Sequence, residues 1–258
     1  MGIAIHFFQE AAEPARRLAD RCGIPACAIA LHAFPDGESL VRVQPAGGTA
    51  LLYRSLDNPN HKLVELLLAA SALRDAGAER VILIAPYLGY MRQDMAFHEG
   101  EAVSQRVVGE LLAAHFDGLV TVDPHLHRTS DLAAVVQGIP ALAVSAAPAI
   151  IDALRPEFGP DTVLIGPDAE SRPWVGSIAD PLGLDVLVGR KQRTGDRAVG
   201  LVIPGIEAVR DRPVVLVDDC VSSGTTLISC ARLLEAAGAT SVAAVANCPS
   251  MASCTRSR

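Results

Sequence analysis

The chain reads as an α/β protein made of two similar domains, each a mainly parallel sheet flanked by helices. Three observations carry that reading. Apolar runs of strand length alternate with helical patterns along nearly all of the 258 residues. Some of those runs, such as "VVLV" at 214–217, are apolar at every position, as in strands buried on both faces of a parallel sheet. The halves also echo one another: "LRDAGAERVILIAPY" at 73–87 and "LEAAGATSVAAVANC" at 234–248 share a helix end, an Ala-Gly-Ala turn and a following strand.

In order along the chain, strands are predicted at 3–8, 27–32, 39–43, 49–54, 80–85, 118–122 and 140–144, then at 162–166, 185–189, 199–203, 213–217 and 241–246. Helices are predicted over 61–76, 102–115, 146–155 and 224–237. Two of them are followed by Gly77 and Gly238, the residue type that most easily takes the left-handed turn ending a helix. Gly and Pro in "QGIPALAVSAAP" place the division near 137–147 without a true linker, giving domains 1–140 and 141–258.

Composition excludes several classes. Half of the residues are apolar, enough for two ordinary cores, and the net charge of -7 offers no electrostatic footprint for nucleic acid. The start lacks the basic-then-apolar order of a secretory signal, and the richest apolar stretch, 63–73, is too short and too charged to span a bilayer. Six cysteines at 22, 27, 220, 230, 248 and 254 show no CxxC pair and no zinc spacing, which suits reduced thiols in the cytoplasm.

The chemistry concentrates at strand ends. "VVLVDDCVSSGTTL" at 214–227 sets Asp218 and Asp219 at the mouth of a buried strand, followed by Ser222, Ser223, Gly224, Thr225 and Thr226 leading into a helix. Small residues there let backbone N–H groups face a phosphate at the positive end of the helix, and the two acids can accept from sugar hydroxyls or reach magnesium through water. The Walker A pattern and its lysine are missing.

Five further stretches have both an ordinary and a functional reading. "FPDGES" at 34–39 places Asp36 and Glu38 around a turn glycine. "APYLGYMRQD" at 85–94 offers Arg92, able to grip phosphate oxygens bidentately, beside Gln93. "VDPHLHR" at 122–128 ends a strand with His125 and His127, a pair that suits metal or phosphate as well as a satisfied structural role. "IGPDAESR" at 165–172 adds Asp168, with Glu170 in reserve. "GRKQRTGDR" at 189–197 gathers Arg190, Lys191, Arg193 and Arg197 in a loop that reads either as a solvated basic turn or as a cationic flap closing on phosphates.

The acid pair and hydroxyl-rich loop resemble the phosphoribosyl-diphosphate loop of the type I phosphoribosyltransferase fold. Taken together and in this order, the stretches from residue 3 to about 247 resemble the ribose-phosphate diphosphokinase family. The shared patterns are Phe-x-Asp-Gly-Glu, Tyr-x-x-Tyr-x-Arg-Gln-Asp, Val-Asp-x-His, Pro-Asp, Lys-x-Arg and the Asp-Asp loop. The resemblance implies two phosphoribosyltransferase-like domains and transfer of the diphosphoryl group of ATP to ribose 5-phosphate. It implies ATP binding by Asp36, Glu38, Arg92 and Gln93, partly across a subunit boundary of a homo-oligomer. It also implies Mg²⁺ held by His125 and Asp168, catalysis by Lys191 and Arg193, and ribose 5-phosphate binding by Asp218, Asp219 and 222–226.

Two departures from the family pattern bear on these expectations. Ser222 and Thr225 stand where many relatives carry an acid and a glycine. After Asn247, "CPSMASCTRSR" leaves the pattern, so the second domain is expected to be truncated with an uncovered sheet edge. A non-catalytic regulatory homologue that binds nucleotide and sugar phosphate is the alternative function, and a phosphoribosyltransferase independent of ATP is the third.

Overall fold

Strands and helices alternate through two units, Met1–Val144 and Ser145–Arg258. The structure, a computed structural model, describes residues 2–126, 128–129, 131–156, 159–193, 199–219, 221 and 224–246, without the side chains of 191–193 and 199–200. Ser222, Ser223, Cys220, His127 and the tail at 248–258 lie outside the described residues.

The first unit runs β1 (Ile3–Phe7), α1 (Ala12–Cys22), β2 (Ala26–Ala28), β3 (Ala30–Ala33), β4 (Ser39–Arg42), β5 (Gly48–Tyr53), α2 (Pro59–Asp75), β6 (Ala78–Ala85), α3 (Ser104–His115), β7 (Gly118–Val122), α4 (Leu132–Val135) and β8 (Ala141–Val144). Six of the strands form one parallel sheet in the order β2-β1-β5-β6-β7-β8. Because β8 completes this sheet, the first unit reaches Val144, past the division expected at 140.

Alternation along the strands divides the core between two faces. Ile5, Phe7 and Tyr53 pack with Ala15 and Ala19 of α1. Ala50, Leu52, Val81 and Leu83 pack with Leu63, Leu66, Ala69 and Leu73 of α2. The second helix is apolar on nearly every side, yet it also buries Lys62 and Glu65.

Those buried charges surround Arg54, which follows β5 and is 2% exposed. Its Nε donates to Glu10 Oε1 at 2.8 Å, Nη2 lies 2.5 Å from Glu65 Oε2, and Nη1 donates to the Lys62 carbonyl at 3.3 Å. The guanidinium lies over the Phe8 ring, 3.8 Å from its centroid. Ser39 Oγ donates to the other Glu65 oxygen at 3.1 Å and so ties the start of β4 to the same cluster.

The second unit runs α5 (Ala147–Leu154), β9 (Val163–Gly166), α6 (Arg172–Ala179), β10 (Asp185–Val188), β11 (Arg190–Arg193), β12 (Val199–Val202), β13 (Pro213–Asp218), α7 (Thr225–Ala236) and β14 (Ser241–Ala246). Its parallel sheet has the order β10-β9-β13-β14. Val215 and Val217 face α5 and α6, while Val214 and Leu216 face Cys230 and Leu234 of α7. Burial on both sides accounts for the unbroken apolar run at 214–217.

Three expectations change. The strand predicted at 27–32 breaks at Ile29, whose side chain is buried and whose N–H goes to the Phe7 carbonyl at 2.8 Å. From there the chain leaves the sheet and forms the antiparallel β3–β4 hairpin. The basic stretch predicted as a loop is a strand at Arg190–Arg193, paired antiparallel with β12. Helices α1, α4 and α6 lie outside the predicted segments: α1 buries only alanines, α4 has four residues, and α6 carries Pro173 and Gly176.

Replacing Arg54 by Met leaves Glu65 buried without its cation. Such a change is expected to cost about 3–5 kcal/mol of unfolding free energy by chemical denaturation, and adding Glu65→Leu should restore part of it.

Candidate active site

In each parallel sheet the chemistry-bearing residues leave the carboxyl ends of strands, where open α/β sheets place their ligands. In the first unit, β6 and β7 are neighbours, and the segments that follow them are joined by side chains. Asp94 accepts from the Arg128 backbone N–H at 3.1 Å and from its Nη1 at 2.9 Å. Burial alone raises the Asp94 carboxyl, but the Arg128 N–H and guanidinium outweigh it and hold the group below its ordinary value.

Gln105, 6% exposed at the start of α3, is the second tie. Its Nε2 donates to the Met91 carbonyl at 3.1 Å and its Oε1 accepts from Thr129 Oγ1 at 2.8 Å. The segment carrying exposed Arg92 and half-buried Gln93 is thereby fixed beside the one carrying half-buried His125. Gln93 is itself engaged, since its Oε1 accepts from Ser104 Oγ at 2.6 Å. Tyr90, at φ +67°, donates its hydroxyl to Asn60 at the start of α2.

Asp36 and Glu38 occupy the exposed tip of the β3–β4 hairpin. The turn forms as its sequence dictates: Gly37 takes φ +92°, the Phe34 N–H returns to the Glu38 carbonyl at 2.8 Å, and Asp36 Oδ1 accepts from the Glu38 N–H at 3.1 Å. Glu65 anchors the hairpin through Ser39, so the placement of the two acids depends on the buried charge cluster.

In the second unit β9 and β13 are neighbours, and this brings Asp168 within electrostatic reach of Asp218. Asp168 Oδ1 accepts from the N–H groups of Glu170 and Ser171 at 3.1 and 3.0 Å. Gly189 supports this turn by leaving room for it, because a Cβ there would stand 2.4 Å from the Pro167 carbonyl oxygen. Beyond Asp219, Gly224 enters α7 at φ +73° without a capping side chain, and Thr225 and Thr226 are exposed on the first turn.

Burial, then the adjoining Asp219, then Asp168 push the Asp218 carboxyl up to about 7. Cys230, beneath the same strand end, is pushed up to about 11 by burial and by the charges of Asp218 and Asp168, which keeps it an inert thiol. Oxygen donors converging in this way suit a hard cation or the hydroxyls of a sugar. Among the described residues no group of three or more His, Cys, Asp or Glu is arranged to hold a metal by itself.

Sequence reasoning missed Gln105, Ser104 and Arg128 as positioning residues. Arg128 was visible as the basic end of "VDPHLHR", whereas a glutamine on a helix gives no local signal of what it will hold.

The folded chain keeps a proton on Asp218 that the unfolded chain releases near pH 4, so this group's stabilising contribution is lost as pH rises towards about 7. Asp218→Asn removes that dependence. In urea denaturation the variant should gain stability over the parent at pH 8 relative to the difference at pH 4; a pH-independent difference would place the carboxyl in its ordinary range.

Comparison with known proteins follows the same division. Residues 3–115 match the N-terminal domain of ribose phosphate pyrophosphokinase, and residues 135–256 match the phosphoribosyl transferase domain, a match that continues beyond Asn247. A ribose-phosphate pyrophosphokinase of Methanopyrus kandleri is 38% identical over 228 residues, covering 87% of this chain and 76% of the relative. Ribose-phosphate pyrophosphokinase 2 of Archaeoglobus fulgidus is 36% identical over 230 residues, covering 89% and 79%. The crystal structure of phosphoribosylpyrophosphate synthetase from Mycobacterium smegmatis superposes with a TM-score of 0.80 at 25% identity, covering 95% of this chain and 80% of that one. With both domains matched in order and relatives above 30% identity over most of their length, the chain belongs to the ribose-phosphate pyrophosphokinase family.

Proposed function

We propose that the chain transfers the diphosphoryl group of ATP to the anomeric hydroxyl of ribose 5-phosphate, giving phosphoribosyl diphosphate and AMP. The observation that carries this reading is the carboxylate pair at the end of β13, set before a helix that opens on Gly224, in a chain that belongs to this family. The anomeric oxygen attacks the β-phosphorus, the bond from that phosphorus to the α–β bridging oxygen breaks, AMP leaves, and the hydroxyl proton is lost.

Each residue has a proposed role. Asp218 and Asp219 accept from ribose hydroxyls, and residues 222–226 hold the 5-phosphate through backbone N–H groups and hydroxyls. An Asp218 carboxyl poised near 7 is readily ionised by a sugar hydroxyl or a cation arriving beside it. Arg92 grips phosphate oxygens of ATP, and Gln93, Asp36 and Glu38 complete the nucleotide site. Exposure of Asp36 and Glu38 at a hairpin tip suits an ATP site shared with a second copy in a homo-oligomer. Lys191 and Arg193 steady the diphosphoryl group in transfer, and their strand, β11, offers them a paired arm.

His125 and Asp168 are each proposed as a magnesium ligand. When bound, the ion neutralises charge on the phosphate oxygens. No described helix is long and apolar enough to cross a membrane, and the cytoplasm is the proposed location.

The test is formation of AMP and phosphoribosyl diphosphate from ATP, ribose 5-phosphate and Mg²⁺ by the purified chain. Equal amounts of the two products are expected. Lys191→Ala should lower turnover about 100-fold or more with the fold intact, as removal of a transition-state donor does. A folded, ATP-binding protein that forms neither product would be a binding homologue instead, and near-parental turnover in the variant would remove Lys191 from catalysis.

A further inference from the structure

We propose that two side-chain ties, Gln105 to Thr129 and Asp94 to Arg128, couple nucleotide occupancy at Arg92 and Gln93 to the order of the segment that carries His125. The inference rests on the ATP-binding role proposed above for Arg92 and Gln93. It makes Gln105, Thr129 and Arg128 positioning residues for the transfer.

The nucleotide segment is fixed to the start of α3. Gln105 donates its backbone N–H to the Gln93 carbonyl at 3.1 Å and its Nε2 to the Met91 carbonyl at 3.1 Å, while Ser104 Oγ donates to Gln93 Oε1 at 2.6 Å. Arg92 lies between the two tied residues.

The segment after β7 is held differently at its two ends. At the near end the Val122 N–H goes to the Pro86 carbonyl at 3.1 Å and the Asp123 N–H to the Val144 carbonyl at 3.0 Å, so backbone bonds beside the sheet are the anchor. Asp123 then turns the chain away at φ +37°. At the far end the anchor is made by side chains. Thr129 Oγ1 donates to Gln105 Oε1 at 2.8 Å, and Arg128 meets Asp94 through its backbone N–H at 3.1 Å and its Nη1 at 2.9 Å. His125 stands between these anchors.

Both far-end ties lead back to the nucleotide segment. One buried amide serves two sides, since Gln105 holds Met91 by its nitrogen and Thr129 by its oxygen. The Asp94 side chain, 2% exposed, follows Arg92 and Gln93 directly in the same segment. Buried hydrogen bonds are costly to leave half made, so a displacement of Met91 or Asp94 is passed on to Thr129 and Arg128. A ligand that steadies Arg92 and Gln93 therefore steadies His125, and by linkage a ligand at His125 strengthens nucleotide binding by the same factor.

The test is amide hydrogen exchange of the full chain with and without ATP and Mg²⁺, read by mass spectrometry on peptides containing Arg92 and on peptides containing Arg128 and Thr129. In the parent, ATP should slow exchange in both. In a Thr129→Val, Arg128→Met double variant, ATP should still protect the Arg92 peptides, while its protection of the other set falls about tenfold. Turnover should fall about tenfold or more with the ATP KM within about twofold, as misplacement of reacting groups does. Thr129→Ser with Arg128→Lys, which keeps a hydroxyl and a cation, should recover most of both. A purely structural role would speed exchange with and without ATP alike and leave the ATP-dependent difference in place.

Equal ATP protection of the Arg128 peptides in the parent and the folded double variant overturns the proposal, as does a parent in which ATP protects only the Arg92 peptides. A raised ATP KM at unchanged turnover overturns it too. ATP that protects neither set overturns the nucleotide site and the coupling together. The expected protection in a parent that forms no AMP keeps the coupling and removes the proposed reaction. If the double variant does not fold, Thr129→Val alone, a hydroxyl exchanged for a methyl, decides by the same comparison.

Discussion

One guanidinium organises the first unit. Arg54 has been taken out of water at the end of β5, and an arginine cannot shed its charge to relieve that cost. Compensation comes from four directions: Glu10 after β1, Glu65 and the Lys62 carbonyl on α2, and the face of Phe8. The hairpin that carries Asp36 and Glu38 is attached to this cluster by Ser39, so a buried charge cluster away from its tip decides where the two acids stand. A well-packed apolar cluster would hold the elements together as firmly, but without the directional bonds that specify which segments meet.

The second unit gathers charge of one sign. Asp218, Asp219 and Asp168 meet because β9 and β13 are adjacent, and the Asp218 carboxyl is held at about 7 by burial and by its neighbours. A carboxyl so raised is the kind of perturbed group that clusters at functional sites. In the first unit buried charge is balanced by opposite charge; in the second the carboxyls face one another, and a raised pKa for Asp218 is the consequence.

Much of this was legible locally. The Pro-Asp-Gly turn formed at Gly37, and Gly77 and Gly238 took φ values of +103° and +94° just past the ends of α2 and α7. Turn chemistry of this kind depends on the few residues that make it. The apolar strand before Asp218 was likewise readable, because burial on both faces leaves no polar position. The break at Ile29 was not, since "CAIALHA" offers neither Gly nor Pro where the chain changes sheets. Nor did alanine-faced α1 announce itself, because periodicity is read from large apolar side chains.

The sequence by itself determined the strand and helix alternation, the order of the motifs and the strand ends at which their polar residues emerge. All of these follow from periodicity and local turn geometry. Tertiary structure alone decided that Asp94 meets Arg128 across 34 residues, that Gln105 holds the Met91 and Thr129 segments together, and that Asp168 raises Asp218. The physical reason is that electrostatic and hydrogen-bond energies depend on distance in space. Which strand ends become neighbours is set by the order of strands in a sheet, and that order is written in no single stretch of the chain.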